Sequence, residues 1–433
     1  MIDIKIIDRC FIELKEYSYK NFIKKFGNEL DSYLYERGLC KHQGDKVYFC
    51  FTGFAISKKE IIVVFPKAYI LPENDENELK KQVLILANTL LRYRQEGTLK
   101  DEEKELLGSP DCVRPYGISA ALTLIKDYEE FGYIRREKVR KNSNLGNNYD
   151  WPAIIKTKTP IMSGGRPVYI DMLTRHSTYD NSNIICRIHK YAVQKSYDKY
   201  GWILGKENYE VDPEFSEIPC EVSMAAYFLN KELESINKDR EIRLIKALLE
   251  FIIGSGDKDN RVEVETIATP YFHTIWEAIC SYIFNNDFLL YKDDIPKPTW
   301  HIEGKKDSTK QIPDIIFKNN GYLYILDAKY YDINITKPGW HDLVKQFFYY
   351  YSLRGRYGNN IRNALIFPGN RESLIKYTGY IDFDQYPVLG KVDAISINTY
   401  EAMKCYSENK KGEFFDQLID MFSNTDTGIA INM

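Results

Sequence analysis

Residues 312–329 read IPDIIFKNNGYLYILDAK, and this stretch decides the fold of the region around it. Two apolar runs flank the turn residues Asn320 and Gly321. Asn-Gly between apolar runs predicts a tight β-hairpin, because both residues tolerate a positive φ. The rest of the C-terminal region is therefore interpreted around a hairpin at this position.

The ends of the two predicted strands carry charged side chains. Asp327 and Lys329 are two residues apart, so on a strand they project to the same face. Pairing of the strands brings Asp314, at the start of the first run, near them. Two carboxylates and an ammonium group suit a hard divalent cation and the hydrolysis of a phosphodiester.

Pro-Asp, a spacer and Asp-Ala-Lys resemble the PD-(D/E)xK motif of restriction enzymes and DNA-repair nucleases. Upstream, the predicted helix TPYFHTIWEAICSYIF carries Glu277, where that superfamily often has an acidic residue. Downstream, KQFFYYYS places Gln346 and Tyr350 four residues apart on one helix face, similar to the Gln-x-x-x-Tyr element of some branches. The alternative is a surface hairpin with an ordinary salt bridge.

The resemblance implies a role for each of these residues. It implies Mg²⁺, with Mn²⁺ as a substitute, bound by Asp314, Asp327 and the Ala328 carbonyl, and supported by Glu277. Lys329 would orient and activate the attacking water, as a general base or as an electrostatic stabiliser. Gln346 and Tyr350 would position the backbone or brace the core.

Composition is that of an ordinary globular protein without a global basic field. The 433 residues carry 59 Lys and Arg against 62 Asp and Glu, a net charge of -3, so contacts with nucleic acid must come from local basic patches. The 8 cysteines form no Cys-x-x-Cys pair, which favours free thiols in a reducing cytoplasm. Neither a signal peptide nor a membrane span is expected.

One segment is locally basic. RREKVRK follows an amphipathic helix and precedes a β-rich tail, an arrangement similar to a winged helix. Its five basic residues are predicted to contact DNA phosphates, although a solvated charge run is the commoner case. These residues are Arg135, Arg136, Lys138, Arg140 and Lys141.

Further along, residues 168–177 and 181–196 are interpreted as two strands around a turn.

Composition and turn signals predict three domains. An α+β module occupies residues 1–105, and a winged-helix-like DNA-recognition domain occupies 115–255. A nuclease domain occupies 261–433, after the glycine-containing stretch GSGDKDN at 254–260. The predicted class is α+β, with a mixed sheet flanked by helices in the last domain.

Beyond the motif, the layout resembles the LlaJI-type restriction endonuclease family, with kinship to McrC-like subunits. The phrases that carry this resemblance are GISAALTLIKDYEEFGYI, the Trp151 segment, FHTIWEAICSYIFNN, IPDIIF and LDAKYYD. It implies restriction of foreign double-stranded DNA, with sequence recognition by the N-terminal region. In some systems of this kind a separate nucleotide-driven motor acts with the nuclease. No P-loop signature is present here, so any such motor would belong to a second restriction subunit, and a second copy of the chain is the other candidate partner.

Two other functions remain open at this point. A repair or transposition nuclease would read DNA structure rather than sequence. A non-catalytic DNA-binding subunit would not need the Asp314, Asp327 and Lys329 set, and the intact motif disfavours it. A cleavage assay with and without Mg²⁺ separates these alternatives.

Overall fold

The computed structural model describes residues 6–57, 60–72, 75–96, 99, 101–107, 117–143, 149–180, 182–204, 212–256, 264–308, 311–370 and 372–426. Its class is mixed α+β, with several separate sheets. Of the described helices, none is both long and apolar enough to cross a membrane.

Up to residue 107 the described residues form six β-strands and three α-helices. They are β1 (Cys10–Ile12), β2 (Glu16–Ser18), α1 (Tyr19–Glu36), β3 (Cys40–Gln43), β4 (Lys46–Phe49), β5 (Thr52–Ser57), β6 (Ile61–Phe65), α2 (Glu76–Glu96) and α3 (Asp101–Leu107). The next group alternates helices with short strands. It comprises α4 (Gly117–Phe131), β7 (Glu137–Ser143), α5 (Trp151–Thr157), β8 (Ile161–Ser163), β9 (Arg166–Val168), β10 (Leu173–Tyr179), α6 (Ile184–Tyr200), α7 (Val222–Leu233) and α8 (Asp239–Gly256).

The C-terminal elements surround the hairpin quoted above. They are β11 (Val264–Thr269), α9 (Phe272–Ile283), α10 (Phe288–Tyr291), β12 (Thr299–Ile302), β13 (Lys305–Ser308), β14 (Ile315–Asn319), β15 (Tyr322–Ala328), α11 (Trp340–Tyr357), β16 (Ile361–Gly369), β17 (Ile375–Asp382), β18 (Lys391–Asn398), α12 (Thr399–Ser407) and α13 (Phe414–Asp426).

The hairpin predicted from the sequence is confirmed. Asn319 pairs with Tyr322, and the two residues between them, Asn320 and Gly321, have φ values of 48° and 84°. These two positive values are the geometry that an Asn-Gly turn accommodates with least strain. The hairpin forms one side of a five-stranded sheet with the order β14-β15-β16-β18-β17.

The five-stranded sheet is mixed, as predicted. β15, β16 and β18 run parallel, whereas β14 and β17 are antiparallel to their neighbours at the two edges. From Leu323 to Ala328 every residue of β15 is buried, as expected for a strand covered on both faces. The helices α9, α11, α12 and α13 pack against strands of this sheet.

A second sheet contains strands that are far apart in the sequence. Its order is β1-β6-β5-β11, and β11 pairs antiparallel with β5 along its whole length. Gly53 of β5 is required at this junction, because a Cβ there would lie 2.1 Å from the carbonyl oxygen of Ile267. β2, β4 and β3 form a small third sheet in the same region.

The chain divides into two compact units. Unit 1 contains the described residues of Met1–Ser119, Ile203–Gly205 and Asn260–Met433, and unit 2 contains those of Ala120–Trp202 and Lys206–Asp259. The predicted regions 1–105 and 261–433 therefore lie in one unit, because β11 completes the N-terminal sheet. The division of labour among the three predicted regions stays a prediction.

Unit 2 is built from helices with two small two-stranded sheets. β7 pairs with β10, and β8 pairs with β9. The helical region after residue 221 breaks into α7 and α8 near Asn237, as predicted. Arg240 of α8 donates two hydrogen bonds to Asp127 of α4, at 2.9 and 2.8 Å. The winged-helix arrangement itself stays a prediction.

One strand prediction in this unit is wrong. Residues 181–196 were expected to form a strand, but Ile184–Tyr200 is the helix α6. Asn183 caps it by accepting hydrogen bonds from the N–H groups of Ile185 and Cys186. Burial of Ile185, Ile188 and Ala192 follows the helical period, which outweighs the β preference of the isoleucines.

Candidate active site

The hairpin brings the three motif side chains together as the sequence predicts. Asp314 directly precedes β14, Asp327 lies near the end of β15, and Lys329 directly follows that strand. A hydrogen bond from the Ala328 N–H to Oδ2 of Asp314, 2.9 Å long, closes the end of the hairpin. The carboxylates and the ammonium group therefore share one end of the five-stranded sheet.

Asp327 is bound by two lysines. Its side chain is 1% exposed, and Nζ of Lys329 lies 2.5 Å from Oδ2 while Nζ of Lys345 lies 2.9 Å from Oδ1. Lys329 also lies 3.0 Å from Oδ1 of Asp342. Together, four residues form one ion-pair network: Asp327, Lys329, Lys345 and Asp342. In this network each charged group lies beside a group of opposite charge.

Lys329 is held in its charged form. Burial lowers the pKa of this lysine, but the carboxylates of Asp327 and Asp342 outweigh burial and raise its pKa above the usual value. Lys345 behaves in the same way, with burial opposed by Asp327. Both ammonium groups are therefore positive at neutral pH in this arrangement, which suits stabilisation of negative charge better than proton abstraction.

The pKa values of Asp314 and Glu277 are also raised, which for a carboxyl group disfavours the charged form. Burial, followed by the charge of Asp327, raises the pKa of Asp314 to about 6. Burial and then the charges of Asp314 and Asp327 raise the pKa of Glu277 to about 7. Three carboxyl groups thus repel one another here, and a cation among them would relieve that repulsion.

Glu277 is positioned by a well-anchored helix. The predicted apolar stripe of α9 is confirmed, since Phe272, Ile275, Trp276 and Ile279 are buried. The indole N–H of Trp276 contacts the carbonyl oxygen of Ile366 in β16, at 3.5 Å. The helix therefore packs on the sheet that carries the motif, and Glu277 interacts electrostatically with Asp314 and Asp327.

A buried network from the N-terminal strands supports the residue after Lys329. The hydroxyl of Tyr330 donates to Glu13 at 2.6 Å and accepts from the Lys67 N–H at 2.9 Å. Thr52 donates to the same carboxylate of Glu13 at 2.9 Å. These contacts fix the backbone beside Lys329, and they explain why the β14–β15 hairpin and the N-terminal sheet belong to one unit.

Gln346 and Tyr350 lie in different surroundings. The side chain of Gln346 is completely buried, and among the described residues its amide atoms have no hydrogen-bond partner. Tyr350 packs closely over Gly390, where a Cβ would be 2.5 Å from its ring, and it lines a cavity of about 430 Å³ with Arg362 and Asp393. Asp314, Asp327 and Lys329 do not line that cavity.

Sequence reasoning missed Lys345 and Asp342. Their signal is a helical one, because Asp342, Lys345, Gln346 and Tyr349 follow the i, i+3, i+4, i+7 spacing of one helix face. Tyr349 and Gln346 are buried, so this face of α11 is turned inward. Only the three-dimensional structure shows that it faces the end of β15.

The basic segment forms a strand rather than a free loop. β7 pairs with β10 over residues Glu137–Ser143, and the side chains of Lys138, Arg140 and Lys141 lie outside the described residues. Arg136 is bound to two carboxylates, Glu232 at 2.6 Å and Glu241 at 3.0 Å. Arg135 is exposed and lies over the ring of Tyr179. Arg135 is therefore better placed than Arg136 to meet a phosphate.

Comparison with known proteins decides the family. The family model described as LlaJI restriction endonuclease matches residues 51–400. The chain belongs to the LlaJI restriction endonuclease family. A relative from Bacillus subtilis (strain 168), the type II restriction enzyme BsuMI component YdjA, is 28% identical over 426 residues, which cover 93% of this chain and 90% of the relative.

One solved structure was also matched to this LlaJI-family chain. It is a chain of a refined half-complex from a tetradecameric assembly of Thermococcus gammatolerans McrB AAA+ hexamers with bound McrC. The match covers 94% of this chain and 99% of the other, at 14% identity and a TM-score of 0.41. A likeness at this level supports no argument about function.

Proposed function

We propose that this LlaJI-family chain is a Mg²⁺-dependent endonuclease that hydrolyses foreign double-stranded DNA, and that its active site lies at the end of the β14–β15 hairpin. The observation that carries the proposal is the convergence of Asp314, Asp327 and Lys329 at that end. The PD-(D/E)xK core is part of the proposal.

The residues present fit a divalent cation of the Mg²⁺ or Mn²⁺ type. The donors are carboxylate oxygens of Asp314, Asp327 and Glu277, with the Ala328 carbonyl as a further oxygen, and hard cations prefer oxygen. Burial, and then the charges of neighbouring carboxylates, raises the pKa of Asp314 to about 6 and that of Glu277 to about 7, so a cation would stabilise their ionised forms. A bound Mg²⁺ would act as a Lewis acid on the phosphate and favour ionisation of water.

The protein groups have distinct parts in the proposed reaction. Asp314 and Asp327 would hold the cation, and Glu277 would complete its surroundings. Lys329, positive and tied to Asp327 and Asp342, would orient the attacking water and stabilise negative charge on the phosphate. Lys345 would hold Asp327 in position through its 2.9 Å contact. Gln346 and Tyr350 would brace the helix that carries Lys345.

We also propose that recognition of DNA belongs to unit 2, with Arg135 and the β7 strand contacting phosphates and a winged-helix-like arrangement presenting them. Phosphate contacts fix position, whereas sequence is read by base edges or by DNA shape. The chain would then separate recognition from cleavage.

A cleavage assay tests this function. Supercoiled plasmid DNA, methylated and unmethylated, is incubated with the purified chain in Mg²⁺ or in excess EDTA. We expect cleavage in Mg²⁺ only, and loss of cleavage in Asp314→Asn, which keeps an oxygen to accept the Ala328 N–H. Asp416→Asn, an exposed aspartate of α13, is the matched control and should cut normally. Robust hydrolysis in EDTA would overturn the metal mechanism.

A second candidate is a nuclease subunit that acts only with a partner protein. The relative from B. subtilis is named a component of its restriction enzyme and matches over nearly its whole length, which favours this version. In that case the isolated chain binds Mg²⁺ in calorimetry but cuts DNA only after the products of neighbouring genes are added. A second copy of the chain is the other partner that double-strand cleavage would require.

A further inference from the structure

Three side chains of different ligand types meet in the N-terminal part of unit 1, away from the hairpin in the sequence. Asp31 lies on α1, and Cys40 and His42 lie two residues apart on β3, hence on one face of the strand. Their ligand atoms all lie within 4.8 Å of one another. Within the described part of the chain, no other group of three or more His, Cys, Asp or Glu residues meets this criterion.

The geometry differs from that of a catalytic triad. A triad uses both nitrogens of its histidine, one for the nucleophile and one for the acid. Here the same nitrogen, Nε2 of His42, lies 2.9 Å from Oδ1 of Asp31 and 3.7 Å from Sγ of Cys40. In a tetrahedral zinc site with the usual bond lengths, neighbouring ligand atoms lie roughly 3.4–3.6 Å from one another. The two distances from Nε2 of His42, 2.9 and 3.7 Å, lie on either side of that range.

Neighbouring groups hold the ligands in place. The hydroxyl of Tyr19 donates to Oδ2 of Asp31 at 3.1 Å, which leaves Oδ1 directed at His42. The imidazole of His42 packs between the rings of Tyr19 and Tyr35, with centroids 4.5 and 4.9 Å away. Outer contacts that orient ligands in this way are typical of metal sites.

We propose that Asp31, Cys40 and His42 bind Zn²⁺ as three protein ligands, with water in the fourth position. Asp31 and Cys40 are buried, whereas the side chain of His42 is 26% exposed, which provides an entry path and room for the water. The ion would join α1 to β3 and stabilise the small sheet against the helix. This site is independent of the proposed nuclease chemistry.

The ligand set selects a thiophilic ion rather than Mg²⁺. Sulfur and imidazole suit zinc, whereas Mg²⁺ demands oxygen ligands. Burial, with the charge of Asp31 as a smaller contribution, raises the pKa of the Cys40 thiol to about 12, so the ion must displace a proton from it. Zn²⁺ and Co²⁺ do so readily because they form strong bonds to thiolate.

Cobalt spectroscopy tests the proposal on the full chain. Co²⁺ is added to the metal-free, reduced protein in excess Mg²⁺, which occupies oxygen sites. We expect a cobalt–thiolate charge-transfer band that saturates at one ion per chain and disappears when Zn²⁺ is added. The band should be lost in Cys40→Ser and retained in Cys405→Ser, whose half-buried thiol lies on α12 of the same unit.

A second variant keeps the test valid if Cys40→Ser fails to fold. His42→Gln changes a partly exposed side chain on a surface strand, so the fold should survive. Zn²⁺ should raise the Tm of the wild type and of Cys405→Ser but leave that of His42→Gln unchanged. Absence of the band in the wild type, its persistence in Cys40→Ser, or an equal Tm shift in His42→Gln would each overturn the proposal.

Discussion

Lys345 donates a hydrogen bond to Oδ1 of Asp327 across 2.9 Å, so a residue of α11 contacts one oxygen of the proposed metal ligand while Lys329 contacts the other. Asp327 is nearly inaccessible to solvent, and both of its oxygens face ammonium groups. Each carboxylate oxygen has two lone pairs, so a divalent cation could bind Asp327 while both lysines stay in contact with it. We therefore expect Lys345 to hold Asp327 in position both with and without the cation.

The first prediction concerns Lys345. Replacing it with methionine keeps the volume but removes the charge, and leaves Oδ1 of Asp327 without its partner. We expect kcat to fall about 10²-fold, the size typical of losing one electrostatic contact in an active site. Plasmid cleavage in Mg²⁺ measures the effect. Lys404→Met on α12, whose lysine contacts Glu401, is the control, and equal activity of the two variants would remove Lys345 from the site.

The second prediction concerns Glu277 and pH. The pKa of this carboxyl rises from 4.5 to about 7, so between these values the folded state binds more protons than the unfolded state. The free energy of unfolding therefore falls as pH rises through this window, and the loss is complete above about pH 7. Because glutamine does not titrate, Glu277→Gln should be more stable than the wild type at about pH 8 but not at about pH 4.5.

Urea unfolding in EDTA at the two pH values measures this difference. We expect a gain of about 1–2 kcal/mol at the higher pH, after allowing for the partial exposure of the group. Glu372→Gln, at an exposed position, should show no such change. A stability difference that is the same at both pH values would contradict the electrostatic account of Glu277.

The third prediction separates two neighbouring arginines. Arg135 is exposed, whereas Arg136 is bound to Glu232 and Glu241. If Arg135 contacts a phosphate, Arg135→Ala should flatten the slope of log K against log salt by about one unit. Arg136→Ala should leave the slope unchanged and lower the Tm, because two carboxylates lose their partner. Fluorescence anisotropy with labelled DNA measures the slope, and thermal unfolding measures the Tm. A flatter slope for Arg136→Ala and an unchanged slope for Arg135→Ala would assign the phosphate contact to Arg136 instead.

The fourth prediction is that residues 260–433 fold only together with residues 1–119. A fragment of residues 261–433 lacks the strand that pairs with β11 and the Glu13 carboxylate that accepts from Tyr330. We expect it to be insoluble or to unfold without cooperativity, and to become soluble when residues 1–119 are co-expressed with it. Cooperative unfolding of the isolated fragment would show that the N-terminal sheet is dispensable.

Features that depend on residues close together in the chain can be predicted from the sequence. The Asn320-Gly321 turn, the strands beside it and the stripe of α9 depend on residues close together in the chain, and the structure confirms them. The same holds for the convergence of Asp314 with Asp327, since a tight turn fixes the register of both strands.

The remaining features depend on contacts between distant residues. Tyr330 and Glu13 are 317 positions apart, and no local pattern marks their hydrogen bond. Lys345 reaches Asp327 only because α11 packs on the sheet. β11 pairs with β5 although the whole of unit 2 lies between these two strands in the sequence. The isoleucines of α6 suggested a strand because β-branched residues favour strands, yet tertiary burial selected the helix.

The role of the hairpin in restriction can be measured in cells that carry the gene together with its neighbours, so that any partner is present. The plating efficiency of unmodified phage is compared for the wild type, Asp327→Asn and the exposed control Asp416→Asn at equal protein levels. We predict strong restriction by the wild type and the control, and none by Asp327→Asn. Restriction by Asp327→Asn equal to that of the wild type would show that the hairpin is not the active site.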